Sequence, residues 1–178
     1  MRPIGRAPTG TLALTMTLAC LSTPMLYAQQ PTPRATLIAA AREIIAAARF
    51  CALVTVDDSG QPHAREMDPF EPDEDFTIWM GTNRHTRKVR EIARDPRVTL
   101  YCQNPQGSGY VTIMGTARLV DDPAEKARRW KTEWDQFYPD RDREYLLIAV
   151  TPRRMEVIDY GRGIAGDPET WTVPAVEF

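Results

Sequence analysis

Residues 82–89 carry the side chains in this sequence that are best suited to binding an anion. The segment reads Thr-Asn-Arg-His-Thr-Arg-Lys-Val, follows a strand-like run at 76–81, and opens a stretch with apolar residues at helical spacing. A helix N-terminus presents unpaired N–H groups and the positive end of the helix dipole. Hydroxyl and cationic side chains at such a terminus predict a phosphate-binding site. The side chains in question are those of Thr82, Thr86, Arg87 and Lys88.

Two other interpretations of this segment stay open. A Thr N-cap followed by a helix rich in Arg and Lys is also typical of a capped, solvated helix. Clustered arginines can also bind nucleic acid, but the chain has 22 Lys and Arg residues against 24 Asp and Glu residues, with a net charge of −2. A chain without excess positive charge does not favour a polyanionic partner, so we expect a local anion site and no nucleic acid.

The first 28 residues have the pattern of a secretory signal peptide. Arg2 and Arg6 precede an apolar run at 11–21 that is too short to span a bilayer, and the small residue Ala28 stands at the expected cleavage point. We therefore expect a periplasmic or secreted protein, with no membrane association after the signal is removed. Cleavage before Cys20, as in a lipoprotein, is a second possibility.

The remaining cysteines, Cys51 and Cys102, lie in two strand-like runs. An exported compartment permits a disulfide, but two strand cysteines so far apart in sequence are more often small, unpaired core residues. Neither belongs to a Cys-x-x-Cys motif or a Cys/His cluster, and His63 and His85 are the only histidines. The sequence therefore predicts no metal site.

Hydrophobic periodicity predicts six short strands and two or three helices. The predicted strands are 50–56, 62–67, 76–80, 98–102, 110–120 and a last strand or strand pair over 145–150 and 155–159; the predicted helices are 34–49, 86–95 and 124–137. A doubly wound parallel sheet would need a helix after most strands. The pattern instead predicts a mainly β, α+β fold in which an antiparallel sheet closes into a small barrel.

The order of four segments resembles the pyridoxamine 5'-phosphate oxidase-like, FMN-binding split-barrel superfamily, and within it the general stress protein branch. These segments are His63–Met67, Trp79–Ile92, Asp95–Leu100 and Tyr110–Ala117. The resemblance runs from about Ala35 to Asp159 and implies a six-stranded antiparallel split β-barrel with two to three flanking helices. It divides the chain into a signal peptide at 1–28, a linker at 29–34, an FMN-binding domain at 35–160 and a Gly/Pro-rich tail at 161–178.

The resemblance also implies a homodimer that holds FMN at the subunit interface. Arg65 matches the strand arginine that reaches the FMN phosphate, Arg87 and Lys88 match the Arg-Lys pair that grips it, and Thr86 stands where the family has Ser or Thr. Tyr110 stands where true oxidases carry Gln. The other implied contacts lie along the flavin ring or at the end of the third strand: Glu66, Met67, Asp68, Gly81 and Thr82.

The function implied by the resemblance is that of a flavin-dependent oxidoreductase acting on an unidentified small molecule. Tyr110, His63 and Tyr101 are weak candidates for proton transfer. The C-terminal residues 171–178 contain no His, unlike the substrate-holding end of pyridoxamine phosphate oxidases, so vitamin B6 oxidation is not expected. Two alternatives remain: a non-catalytic flavin-binding or stress-related protein, and a split barrel that binds another ligand such as haem or deazaflavin.

Overall fold

One curled antiparallel sheet forms the body of the protein. A computed structural model describes residues 32–107 and 109–178; the predicted signal peptide, the alternative cleavage at Cys20 and residues 29–31 of the linker lie outside the described residues. The helices are α1 (Arg34–Ala48), α2 (Arg87–Arg94), α3 (Pro123–Arg128) and α4 (Arg141–Glu144). The strands are β1 (Cys51–Val56), β2 (Pro62–Met67), β3 (Ile78–Asn83), β4 (Arg97–Gln103), β5 (Gly109–Val120), β6 (Tyr145–Asp159) and β7 (Ala175–Glu177).

The strands are ordered β2-β1-β4-β5-β6-β3, with β7 added to β6, and all pairs are antiparallel. The two ends of this path approach each other at a single bridge between Pro69 and Met80. There the backbone N–H of Phe70 donates to the carbonyl of Trp79 at 2.8 Å. The sheet therefore curls into a half-closed barrel, which confirms the predicted mainly β, split-barrel fold.

Buried and more exposed positions alternate along the strands. Leu53, Leu100 and Ile113, from the three adjacent strands β1, β4 and β5, are each 0% exposed and face the inside of the barrel. Their sequence neighbours face outward and are half-buried or exposed. Helix α1 packs Leu37 and Ile44 into the same core. A sheet with one apolar face must bury that face, and the curl and α1 together do so.

Cys51 and Cys102 form a disulfide, which corrects the expectation that they are unpaired core residues. Ala52 pairs with Tyr101 in the antiparallel register of β1 and β4, so the two cysteines lie directly opposite each other. Their Cα atoms are 4.5 Å apart, and both side chains are buried on the same face. Directly opposed residues of an antiparallel strand pair are close enough to form a disulfide, whatever their separation in sequence.

The structure differs from the predicted elements at three further places. Strand β3 begins at Ile78 and not at 76, because Phe76 has a φ of 67° and interrupts the extended backbone. The predicted helix at 124–137 is α3 followed by a separate 3-10 helix, Thr132–Phe137. The predicted tail contributes β7, so the sheet has a seventh, short strand. Among the described residues, no helix is long and apolar enough to cross a membrane.

Candidate functional site

The candidate site is a groove in the cleft where β2 and β3 separate. The Pro69–Met80 bridge joins the segment that follows β2 to β3. Beyond that bridge the chain at 66–68 and the chain at 81–83 become opposite walls of a groove of about 310 Å³. Seven of the ten predicted cofactor-binding residues line it: Glu66, Met67, Asp68, Gly81, Thr82, Thr86 and Lys88. The split in the barrel is therefore what brings these distant segments together.

The N-terminus of α2 forms the polar end of this groove. Thr86 is the N-cap residue, but its hydroxyl donates to the carbonyl of Asn83 at 2.9 Å and makes no capping hydrogen bond. The hydroxyl of Thr82 lies 3.3 Å from that of Thr86. No acidic residue occupies the first turn of α2. The arrangement gathers two hydroxyls and the positive end of a helix dipole without an anion of its own.

Lys88 is half-buried at this end of the groove and forms no ion pair with any described residue. Burial lowers the pKa of its ammonium, the nearby charge of Arg65 lowers it further, and Glu91 acts in the opposite direction. A cation in the first turn of a helix also opposes the helix dipole. Lys88 therefore sits where it is unfavourable in the free protein and where a bound anion would stabilise it.

Arg65 and Arg87, by contrast, are bound to Glu91, a residue that sequence reasoning missed. One nitrogen of Arg65 lies 3.0 Å from Oε2 of Glu91, and Nε of Arg87 lies 3.2 Å from Oε1. Arg65 also donates to the carbonyl of Leu53 at 3.1 Å and to the hydroxyl of Thr55 at 2.5 Å. Neither arginine lines the groove. Two of the three cations predicted to bind a phosphate are thus paired with one buried carboxylate.

Glu91 is 4% exposed and accepts hydrogen bonds from several elements. Besides the arginines, the hydroxyl of Thr55 and Nδ1 of His63, at 3.0 Å, contact its carboxylate. Burial alone would raise the pKa of Glu91, but these hydrogen bonds and the charges of Arg65 and Arg87 outweigh burial and lower it. The only signal in the sequence was the i,i+4 spacing of Arg87 and Glu91; the other partners come from β1 and β2.

The three residues on the β2 side of the groove, Glu66, Met67 and Asp68, differ in exposure and in ion pairing. Glu66 is exposed, and Met67 is 7% exposed and packs in the core. The carboxylate of Asp68 pairs with the ammonium of Lys131 at 2.5 Å, and that ammonium also lies 3.2 Å from the carbonyl of Pro69.

Gly81 lies beneath an aromatic residue that the sequence did not identify as part of the site. A Cβ at Gly81 would stand 2.5 Å from the ring of Trp134, which lines the groove with Phe137 and Tyr138. Trp134 packs edge-on against Phe70 at a ring distance of 5.5 Å. The sequence predicted one helix over 124–137. In the structure Trp134 and Phe137 belong to the separate 3-10 helix Thr132–Phe137, which lines the groove.

Tyr110 lies outside the groove, on the outer face of β5, with its ring 5.5 Å from that of Tyr101. Burial raises the pKa of its phenol, and the neighbouring Tyr101 adds to the effect. His63, the other proton-transfer candidate, is held by Glu91. Within the described part of the chain, no three His, Cys, Asp or Glu residues are grouped to hold a metal ion.

These features suit a phosphate-bearing cofactor in the groove. Thr82, Thr86 and Lys88 together with the first N–H groups of α2 would hold the phosphate, and the cleft between 66–68 and 81–83 would receive the rest of the molecule. The fit depends on Lys88, because the other two cations already have a carboxylate partner.

Comparison with known proteins identifies the family. A family model described as "Pyridoxamine 5'-phosphate oxidase" matches residues 37–159. General stress protein 26 of Bacillus subtilis (strain 168) is 27% identical over 113 residues, which cover 61% of this chain and 79% of that protein. The crystal structure of general stress protein 26 from Bacillus anthracis is 26% identical, with a TM-score of 0.59 over 67% of this chain and 92% of that one.

A third structure, described as a heme binding protein from Mycobacterium smegmatis, shares the fold at 19% identity. Its TM-score is 0.59, and the match covers 82% of this chain and 59% of that one. The family match spans most of the described sheet and both walls of the groove. The chain belongs to the pyridoxamine 5'-phosphate oxidase-like split-barrel superfamily, with general stress protein 26 among its relatives.

Proposed function

We propose that this protein binds FMN in the groove between β2 and β3 and is a flavin-dependent oxidoreductase acting on a small molecule. The observation that carries the proposal is Lys88, a half-buried ammonium without an ion-pair partner among the described residues, at a helix N-terminus with two hydroxyls. When bound, the flavin ring supplies the two-electron chemistry, and the phosphate anchors it without touching the ring.

The contribution of the chain is to bind and orient the cofactor. Lys88, Thr82 and Thr86 fix the phosphate end, and the walls at 66–68 and 81–83 set the direction of the rest of the molecule. Trp134 and Phe137 cover the apolar side of the groove and limit the access of water. Arg65 acts on the phosphate through its charge near Lys88 and not by direct contact.

A homodimer is part of the same proposal. The outer face of the sheet carries a set of apolar or aromatic side chains that are only partly buried: Ala52, Val54, Tyr101, Tyr110 and Met114. A symmetric pair would cover this face and enclose an open cofactor groove. Light scattering of the purified protein at micromolar concentration checks this: twice the chain mass is expected, and the mass of one chain would reject the dimer.

Export from the cytoplasm is the second part of the proposal. The pairing of Cys51 and Cys102 supports it, because structural disulfides persist in oxidising compartments. The expected mature chain begins near Gln29, with the net charge changed from −2 to −4 by loss of Arg2 and Arg6. Intact-mass analysis of the protein recovered from the periplasm or medium tests the cleavage; a mass that still contains Met1 would count against it.

The absorbance spectrum of the purified protein tests the cofactor directly. We expect the two-banded spectrum of an oxidised flavin and release of FMN on denaturation. An intense single haem band would instead favour a haem protein, the function in the description of the Mycobacterium smegmatis structure. Anaerobic addition of a reduced nicotinamide then separates the enzyme from a non-catalytic flavin carrier: bleaching of the flavin bands supports turnover, and an unchanged spectrum supports storage.

A further inference from the structure

A second pocket of about 430 Å³ adjoins the groove on the side away from Lys88. The two spaces share Glu66, Met67, Asp68, Trp134 and Phe137 as lining residues, so they are direct neighbours. The second pocket adds Phe50, which precedes β1, and Glu133 from the 3-10 helix. A ligand in this pocket would lie next to anything bound in the groove.

The walls of this pocket are aromatic and unusually exposed. Phe50 is 40% exposed and Phe137 is 63% exposed, although both are large apolar rings. Cations already lie over ring faces here: the guanidinium of Arg49 is 4.9 Å from the ring centre of Phe50, and the ammonium of Lys131 is 5.3 Å from that of Trp134. Ring faces attract cations, and exposed rings that line a pocket can stack on a planar ligand.

Carboxylates outnumber cations among the residues that line this pocket. Three carboxylates line it, those of Glu66, Asp68 and Glu133, against the single cation of Arg49. Asp68 is paired with Lys131. Glu66 and Glu133 form no ion pair with any described residue. Glu66 and Asp68 also line the groove, so the two spaces differ in that Lys88 lines the groove at α2, whereas Glu133 and Arg49 line the pocket at the 3-10 helix.

We infer that this pocket is the substrate site and that it recognises a planar aromatic compound with a positive charge and no phosphate. The inference rests on the proposed function, because it assigns the groove to the cofactor and the adjoining pocket to its reaction partner. A substrate phosphate would meet Glu66 and Glu133, whereas an ammonium group would be neutralised by them and attracted by the exposed ring of Phe137.

Binding of small probes tests the charge selectivity. Benzyltrimethylammonium and phenyl phosphate carry a similar ring with opposite charges, and each is titrated into the purified protein by calorimetry at low salt, with and without FMN. We expect the cation to bind at least about tenfold more tightly than the anion, and this preference to shrink as salt is added. Equal affinities, a preference for phenyl phosphate, or no binding of either probe at millimolar concentration would overturn the inference.

Two variants locate the cation. Glu133→Gln and Phe137→Ala should each weaken benzyltrimethylammonium binding by about two- to fivefold, as expected for an exposed charge or ring contact. Glu169→Gln and Tyr160→Ala are matched controls, since Glu169 is an exposed carboxylate and Tyr160 is a 68% exposed ring, both outside the pocket. If test and control variants behave alike, the cation binds elsewhere and the inference fails.

FMN titration of the same samples separates this inference from the proposed function. Protein that binds FMN but shows no preference for the cation contradicts only the substrate class. If the protein prefers the cation and the variants behave as predicted, but FMN does not bind, the pocket is still a site for an aromatic cation. The proposal that the groove binds flavin is then wrong. The substrate role requires both results.

Discussion

Helix α2 carries two neighbouring cations, Arg87 and Lys88, that differ in whether they have an ion-pair partner. On one side Arg87 is paired with Glu91, which also holds Arg65 and is 4% exposed. On the other side Lys88 lines the groove, without an ion-pair partner among the described residues and with its pKa lowered by burial. Adjacent residues of one Arg-Lys motif thus serve different ends: one charge is neutralised within the fold, and the other is left for a ligand.

This contrast predicts which substitutions act on stability and which act on binding. A buried carboxylate with several donors is part of the folded structure, and its loss leaves charged partners uncompensated. A cation without a partner contributes little to folding and much to anion binding. Each prediction below separates the Glu91 side from the Lys88 side.

Glu91→Ala should lower the free energy of unfolding of the ligand-free protein by about 3 kcal/mol, because Arg65 would remain part-buried without its carboxylate. Urea denaturation followed by tryptophan fluorescence measures this. Glu169→Ala, at an exposed carboxylate, is the control and should change the stability by less than about 0.5 kcal/mol. A loss below about 1 kcal/mol for Glu91→Ala would mean that the paired cluster does not support the fold.

Glu91→Gln should make stability less dependent on acid pH. Because the pKa of Glu91 is lower in the folded protein, its carboxylate stabilises the fold above the unfolded pKa of about 4.3, and this is lost as the pH falls through the folded value. At pH 7 the free energy of unfolding of the parent should exceed that of Glu91→Gln by about 1.5–3 kcal/mol, the typical contribution of a hydrogen bond to a charged group. This difference in the free energy of unfolding should narrow below pH 4.5. A difference that widens in acid would contradict a lowered pKa of Glu91 in the folded protein.

Lys88→Ala should weaken FMN binding by about 10- to 100-fold, corresponding to the loss of one charge-assisted contact of about 1.5–3 kcal/mol. The ligand-free variant should be as stable as the parent or slightly more stable, since the first turn of α2 contains no acidic residue to favour a cation. Fluorescence titration and thermal unfolding measure the two effects. If Lys88→Ala binds FMN as tightly as the parent, the start of α2 is a solvated helix face and not a phosphate site.

Arg87→Ala should weaken FMN binding by less than about threefold, the smallest effect in the series, because its side chain is 58% exposed and directed to Glu91. The same fluorescence titration applies, with Lys88→Ala beside it. An effect as large as that of Lys88→Ala would show that Arg87 leaves Glu91 when FMN binds, and the contrast between the two sides of α2 would then describe the ligand-free protein alone.

Local patterns were the part of this fold and site that the sequence could predict. The strands follow from alternation, and Thr82, Thr86 and Lys88 follow from a strand that runs into a helix start. The disulfide depends on the register of β1 and β4, which lie far apart in sequence. The role of Glu91 could be predicted only by knowing which strand residues face α2. The position of Trp134 could be predicted only by knowing where α3 ends. Long-range register and helix ends are set by packing, so local reasoning does not reach them.

The most direct test of the central claim compares FMN with riboflavin, which differ by the phosphate alone. Both are titrated into the ligand-free parent and into Lys88→Ala under the same conditions. A phosphate held by Lys88, Thr82 and Thr86 predicts that the parent binds FMN at least about tenfold more tightly than riboflavin and that this ratio falls below about threefold in the variant. Equal affinity of the parent for the two flavins would contradict the account.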